Sequence, residues 1–264
     1  MDLVESKTIN FNRKSRHPWE LARLKIIKRR VASVMRKINK TNPVIFDIGC
    51  GDAFAAFHIA AAFPGAEIHA VDTALDEKKI HEIQKLTGIG NLFLYDRTEN
   101  ISLPPGNSAD IILLLDVIEH IGDDTGLLTQ LLHNPHGSEN THLIITVPAY
   151  PGLFSSHDIL LKHYRRYTRK SLLRTLRISG YQSLESGYFF FALLIPRIFR
   201  LYLEKLKLVK LSESGIGQWH GGILISGIIF FILQTDHFIG RIFLSMGIVL
   251  PGLSVFSVCK PSAS

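Results

Sequence analysis

Cysteine is nearly missing from the chain. Cys50 and Cys259 are the only two in 264 residues, too few and too far apart for a disulfide framework or a cysteine-built metal site. A reducing cytoplasm suits that composition, and the charged, polar start does not resemble a signal peptide. Acidic residues are scarce at one end. Residues 1–43 hold twelve Lys and Arg against Asp2, Glu5 and Glu20, so this segment carries +9, while 18 basic against 20 acidic residues leave the remainder at −2. Basicity confined to one segment points to a phosphate-bearing partner, a nucleic acid or an anionic membrane. An unbroken apolar run of ~20 residues is also lacking, although hydrophobic residues make up 46% of the chain and the mean hydropathy is +0.18.

The hydrophobic excess lies in the last third. The stretches "FFFALLIP" (189–196), "GGILISGIIFFIL" (221–233) and "FIGRIFLSMGIVLPG" (238–252) are broken by Pro196, Arg197, Gln234, Asp236, His237 and Arg241. They are read as a helical insertion over residues 192–250 that lies in a membrane interface; a helical cap burying its own apolar faces and a single span are the alternatives. Near the start, Leu21, Leu24, Ile27, Val31, Val34 and Ile38 form one helical stripe with basic residues around it, after a Pro18 suited to a first turn. Residues 1–42 are thus a basic amphipathic segment, either packed on the domain with a solvated basic face or docked on a membrane.

Between these parts, five apolar runs, "VIFDI" (44–48), "AEIHAVD" (66–72), "NLFLY" (91–95), "ADIILLL" (109–115) and "THLIITV" (141–147), alternate with helical patterns at 53–63, 76–87 and 117–133. A helix over 168–180 and two late runs, "YQSLESGYFFFALLI" and "LPGLSVFSVCKP", follow. The alternation predicts an α/β fold, a doubly wound, mostly parallel sheet with ligands bound at the C-terminal strand ends.

The loop after the first strand lacks a glycine that a dinucleotide fold needs. From Gly49 the count reaches Gly51 and then Phe54 instead of a third glycine, and no Gly-Lys-Ser/Thr follows, so neither a pyrophosphate loop nor a P-loop is complete. What remains is D-x-G-x-G, with Asp72 ending the second run and Asp96 following the third. A ligand with a ribose, a cationic sulfonium and no phosphate would use that set. Glycines allow close approach to its body, Asp72 accepts from the ribose hydroxyls, and Asp96 accepts from an adenine amino group.

On "VIFDIGCGDA", "AVDTALD" and "ADIILLLDVIEHI" the sequence resembles the class I S-adenosylmethionine-dependent methyltransferases, with Ala53 in place of the usual final glycine of the first motif. The resemblance covers roughly residues 40–190 and the last ten. It implies a Rossmann-like seven-stranded sheet whose last strand inserts antiparallel beside the sixth, a core over 43–191, and residues 251–264 as final strand and tail. It also implies S-adenosyl-L-methionine held by Asp47, Gly49, Cys50, Gly51, Asp72, Thr73, Asp96, Arg97 and Asp116.

Methyl transfer is an in-line displacement in which positioning supplies much of the rate, and a base is needed only when the acceptor loses a proton. Asp116, Glu119 and His120 stand at i, i+3 and i+4 and share a face if their run is helical. "SSHDILLKHYRRYT" adds His157, Asp158 and His163 past the fifth strand. His120 and His163 are the candidates for base or acceptor positioning. The D-x-x-E-H pattern with a later His also resembles the metal site of small-RNA 2′-O-methyltransferases and ubiquinone-biosynthesis O-methyltransferases, with Asp116 where those have Glu. A divalent metal at Asp116, Glu119, His120 and His163 is therefore an alternative to a metal-free site, and packing is the third reading.

Arg165, Arg166, Arg169 and Lys170, interleaved with Tyr164 and Tyr167, read either as a phosphate clamp or as a solvated helix start with Thr168 as N-cap. The segment "VPAYPGLFSSHDILLKHYRRYT", the greasy insertion and the "LPGLSVFSV" ending together resemble bacterial methyltransferases found alongside surface-polysaccharide and lipid-linked glycan enzymes. The expectation is an O-methyltransferase acting on a lipid-linked or glycan acceptor, cytoplasmic and peripheral or monotopic at an anionic membrane. A nucleic-acid partner is disfavoured by the long aliphatic runs. A soluble small-molecule acceptor and a membrane-docked binding module without turnover are the rivals.

Overall fold

Short apolar runs bounded by turn residues become strands, because a strand buried on both faces needs only four to eight apolar residues. The computed structural model describes residues 9, 11–13, 16–134, 136–206, 208 and 221–262. In it β1 (Val44–Ile48), β2 (Glu67–Val71), β3 (Leu92–Tyr95), β4 (Ile111–Leu115) and β5 (His142–Pro148) run parallel. The late pair, β6 (Tyr181–Phe189) and β7 (Ser254–Pro261), completes a seven-stranded sheet of order β3-β2-β1-β4-β5-β7-β6, with β7 antiparallel to both neighbours. The doubly wound sheet and the antiparallel final strand expected from the sequence are both present.

The two-residue period of the strands divides the core. Ile45, Ile68, Ile111, Leu113 and Ile144 face one side, where they pack with α1 (Pro18–Ile38), α2 (Phe54–Ala62) and α3 (Glu77–Thr87) through Ile27, Val31, Ile59 and Ile83. Phe46, Ile112, Leu114 and Ile145 face the other, against α4 (Asp124–Leu132) and α6 (Arg169–Ile178) through Leu128, Leu131, Leu172 and Leu176.

Helix α1 begins at Pro18, with His17 and Glu20 forming a reciprocal capping box. Its stripe is buried at Leu24, Ile27, Val31 and Val34, so the helix packs on the domain. Several of its basic residues are engaged inward rather than solvated. Arg23 pairs with Asp116 at 2.8 Å, and Arg30, 7% exposed, pairs with Glu185 at 2.7 Å over the Phe256 ring. Lys25, Arg29, Arg36 and Lys37 remain exposed.

The insertion between β6 and β7 forms α7 (Leu194–Lys205) and α8 (Gly222–Ser245). Gln234, Asp236 and His237 do not interrupt α8, because they serve its inner face. Gln234 donates to the Ala22 carbonyl at 3.1 Å, Asp236 is half-buried facing the backbone N–H groups at 190–192, and His237 is buried with Leu233. The outer face carries exposed Ile225, Ile228, Phe231, Ile232, Phe238, Ile239 and Ile242. By length and composition, α8 is the one helix among the described residues that could cross a membrane. Lys207 and Lys210, which extend the basic run of α7 in sequence, lie outside the described residues.

Candidate active site

The β1 loop is shaped by left-handed backbone. Gly49 and Gly51 have φ of 74° and 59°, values that suit glycine. A Cβ on Gly49 would stand 2.6 Å from Val117 Cγ2, so the first glycine is required by packing as well. Ala53, where the methyltransferase pattern has its last glycine, keeps the same conformation at φ 58° and is fully buried. Here a methyl group is accepted at the cost of about 1–2 kcal/mol of backbone strain.

This loop opens onto a cleft of about 1420 Å³ along the C-terminal strand ends. Gly49, Gly51, Asp72, Thr73, Asp96, Arg97 and Asp116 line it, as do His120 and His163. Asp72 closes the loop by accepting from the Gly51 and Ala74 N–H groups at 2.8 and 2.9 Å. Asp96 accepts from the Asn100 side chain at 2.6 Å. Two of the expected cofactor residues stand elsewhere: Asp47 and Cys50 are buried and are not among the lining residues. Asp47 Oδ2 has no hydrogen-bond partner among the described residues, and burial, with Asp72 and Asp52 adding to it, raises its pKa to about 7.

A carboxyl whose folded pKa is raised contributes stability that is fully present below its unfolded value near 3.9 and is lost as pH rises through about 7. Asp47→Asn is therefore expected to raise the thermal midpoint at pH 8, by the equivalent of about 1–3 kcal/mol, and to raise it less at pH 5, where only part of the loss has occurred. Melting curves at the two pH values check this.

The "DVIEH" run is not one helix, which corrects the expected helix over 117–133. Asp116 turns left-handed at φ 58°, residues 118–120 form a 3-10 turn, and α4 starts only at Asp124. The i, i+3, i+4 face therefore does not form. The carboxylate of Asp116 goes to Arg23 and accepts from Thr146 Oγ1 at 2.9 Å. Glu119, His120 and His163 do gather, with one ligand atom from each within 4.8 Å of the others. The two imidazoles meet edge to face at 4.6 Å. Glu119 is fully buried, and neither side-chain oxygen has a partner among the described residues. Burial and then the charge of Asp116 hold its pKa well above the usual carboxylate range.

His163 reaches this place because the segment after β5 folds back. Tyr167 N–H donates to Pro148 O at 2.9 Å, Tyr150 N–H donates to Tyr167 O at 2.8 Å, and Tyr164 N–H donates to Glu119 O at 2.7 Å. At the centre is Asp158 on the short helix α5 (Ser156–Leu160), with a fully buried side chain. Its Oδ1 accepts from His163 Nδ1 at 2.8 Å and Arg166 Nε at 2.7 Å, while Oδ2 accepts from Ser155 N–H at 2.9 Å. Although burial opposes it, these hydrogen bonds and Arg166 hold the carboxyl well below its usual range. An ionised Asp158 can only accept, so the Nδ1 proton stays on His163 and Nε2 is left as the basic nitrogen.

Three of the four basic residues of the cluster are engaged within the fold, and Lys170 is exposed. Arg166 is spent on Asp158, Arg165 pairs with Asp124 at 3.2 Å, and Arg169 donates to Ser186 Oγ at 2.8 Å. His17, the N-cap of α1, Trp19 and Arg23 from α1, and Pro196, Arg197 and Arg200 from α7 also line the cleft. The sequence reading did not place them there, and only Pro18, which fixes where α1 starts, hinted at the first three.

Residues 46–134 match a family model described as "Methyltransferase domain". Three solved structures share the fold. The plantazolicin methyltransferase BpumL in complex with SAH is 17% identical, with 93% of this chain and 85% of that chain covered and a TM-score of 0.53. A protein from Galdieria sulphuraria assigned as a sarcosine dimethylglycine methyltransferase is 16% identical, covers 89% and 85%, and has a TM-score of 0.54. The [4+2]-cyclase SpnF is 12% identical, covers 90% and 82%, and has a TM-score of 0.51. No curated relative matches at the level of sequence.

Over residues 46–134 the chain carries a methyltransferase domain, and its fold and loop are those that the resemblance to class I S-adenosylmethionine-dependent methyltransferases implies. The matched stretch runs from β1 to just past α4, and the BpumL structure of the same fold was solved with SAH. The residues present would suit S-adenosyl-L-methionine. Asp72, Asp76, Asp96 and Glu99 line the cleft, and such carboxylates offer acceptors for ribose hydroxyls and an adenine amino group.

Proposed function

We propose that the chain methylates a hydroxyl of a lipid-linked or glycan-type acceptor at an anionic membrane surface. The observation that carries this reading is the double face of α7. Pro196, Arg197 and Arg200 line the cleft, while Ile195, Ile198, Phe199 and Tyr202 of the same helix are exposed, at 65%, 50%, 62% and 59%. Large contiguous apolar exposure marks an interaction surface. Here it belongs to the helix that walls the cleft, and the exposed aliphatic stripe of α8 extends the apolar surface of the insertion.

Bound S-adenosylmethionine supplies an electrophilic methyl group. Asp72, Asp96 and the glycine loop would bind and orient it. His163, its Nδ1 proton fixed by Asp158, would take the acceptor's proton on Nε2, with His120 beside it to position the hydroxyl. A membrane-interface placement suits α8 better than a crossing, because a crossing would strip Leu233, Gln234 and His237 from their contacts with the domain. A divalent cation on Glu119, His120 and His163 is a second reading, favoured by the unpartnered Glu119; it would act as a Lewis acid on the hydroxyl. Mg²⁺ or Mn²⁺ titration of the protein, followed calorimetrically, tests it.

Incubation with labelled S-adenosylmethionine and a bacterial membrane fraction, followed by solvent partition, tests the main reading. Label in the lipid phase is expected. Label in nucleic acid or in soluble small molecules would replace the acceptor class, and absence of transfer with cofactor still bound would leave a binding module. Ile198→Glu with Phe199→Glu is expected to reduce sedimentation with phosphatidylglycerol vesicles tenfold or more, since each buried apolar side chain contributes roughly 1.5–3 kcal/mol. Unchanged sedimentation would remove α7 from the docking surface.

A further inference from the structure

The partners of Asp158 divide by origin. Ser155, His163 and Arg166 all lie within eight residues of it in sequence, but a fourth partner, Arg197, comes from 39 residues away on α7. Arg197 Nη2 donates to Asp158 Oδ2 at 3.2 Å, to Ser155 Oγ at 2.6 Å and to Leu153 O at 3.3 Å. Two turns further along α7, Glu204, only 6% exposed, accepts from Ser156 Oγ at 3.3 Å. The polar face of α7 thus grips both ends of the turn that opens α5.

Stability does not call for this arginine. Asp158 is already neutralised by Arg166 and hydrogen-bonded by His163 and Ser155, and a second cation taken out of water carries its own desolvation cost. Arg197 Nε is buried without a partner among the described residues, a defect of the kind that native structures keep mainly where function requires it.

We infer that Arg197 is a positioning residue, which from the insertion fixes Asp158 and, through it, the His163 imidazole at the acceptor end of the cleft. The inference rests on the reading of His163 as the base. It assigns the insertion a second duty, since the helix that offers an apolar face outward also sets the geometry of proton removal. Without Arg197, Asp158 keeps a cation on Oδ1 and the Ser155 N–H on Oδ2, but the charged donor that ties Oδ2 to Ser155 Oγ and Leu153 O is lost, so the turn can shift and carry the carboxylate and His163 with it. A displacement of about 1 Å at such a group can cost ~10²-fold in rate.

The test compares the full chain with Arg197→Met, Arg197→Lys and His163→Gln, using label transfer from S-adenosylmethionine into a membrane fraction. Arg197→Met is expected to lower kcat roughly 10- to 100-fold while KM for S-adenosylmethionine stays within about twofold, and Arg197→Lys, which restores one charged donor, recovers most of the loss. Calorimetric cofactor stoichiometry separates this from misfolding, because an unfolded fraction would lose binding sites in proportion. The ¹⁵N signals of His163 at fixed pH, assigned with His163→Gln, give a readout independent of turnover: the Nδ1–H form in the parent protein and a mixture of tautomers in Arg197→Met. Unchanged signals, or transfer within twofold of the parent in Arg197→Met while His163→Gln has lost it, would overturn the inference and leave the base assignment standing. Full transfer by His163→Gln would overturn both.

Discussion

Replacing Asp158 by asparagine is expected to cost about 3–5 kcal/mol of folding free energy, the range for removing one partner of a buried ion pair. The side chain is fully buried and accepts from Arg166, Arg197 and His163. Asparagine keeps the shape but removes the charge, leaving two guanidinium groups without their counter-ion, and its amide nitrogen turns one acceptor into a donor facing other donors. Urea denaturation of parent and variant gives the difference directly. Arg166→Met, which leaves Arg197 on the carboxylate, should cost less. Methyl transfer by Asp158→Asn should fall with it even where the variant is folded, because the amide no longer selects the Nδ1–H form of His163.

The second large effect lies at the opposite end of the cleft. Asp72→Ala is expected to weaken S-adenosylmethionine binding by ~10²-fold or more, on the basis of about 1.5–3 kcal/mol for each hydrogen bond between a ribose hydroxyl and a charged acceptor. The same carboxylate holds Gly51 N–H at 2.8 Å, so the loop loses a tether as well as the ligand a partner. Titration calorimetry measures the affinity. Unchanged binding would remove Asp72 from the cofactor site, whereas Asp72→Asn should lie between alanine and the parent.

Much of the core was legible because strands and glycines speak locally. "VIFDI" and "ADIILLL" are too short and too apolar to be surface helices, and Gly49 and Gly51 mark left-handed turns whatever surrounds them. The errors fell where long-range partners override local pattern. "DVIEH" has helical spacing, yet Asp116 is drawn to Arg23 and Thr146 and turns left-handed. Arg165, Arg166 and Arg169 read as a basic patch, yet each faces a carboxylate or hydroxyl supplied by another part of the chain or by α5. Gln234, Asp236 and His237 read as breaks in an apolar stretch, because sequence alone does not show that α8 has the rest of the molecule on one side. The cleft walls from α1 and α7 were illegible for the same reason: what makes Trp19 or Arg200 a lining residue is where its helix docks.

The position of β7 has a consequence for how the molecule is made. Because β7 lies between β5 and β6 and joins them, neither can complete its hydrogen bonds until the chain has passed through the whole insertion. As the chain leaves the ribosome, α7 and α8 emerge while β5 still offers an open edge, the kind of edge that recruits other strands. Closing the sheet then requires a loop of about sixty residues to be drawn together, an entropic cost that grows only slowly with length but delays the step. On the proposed membrane-surface reading, an early encounter between the insertion and a bilayer would shield its apolar faces during that interval and make the bilayer a folding surface as well.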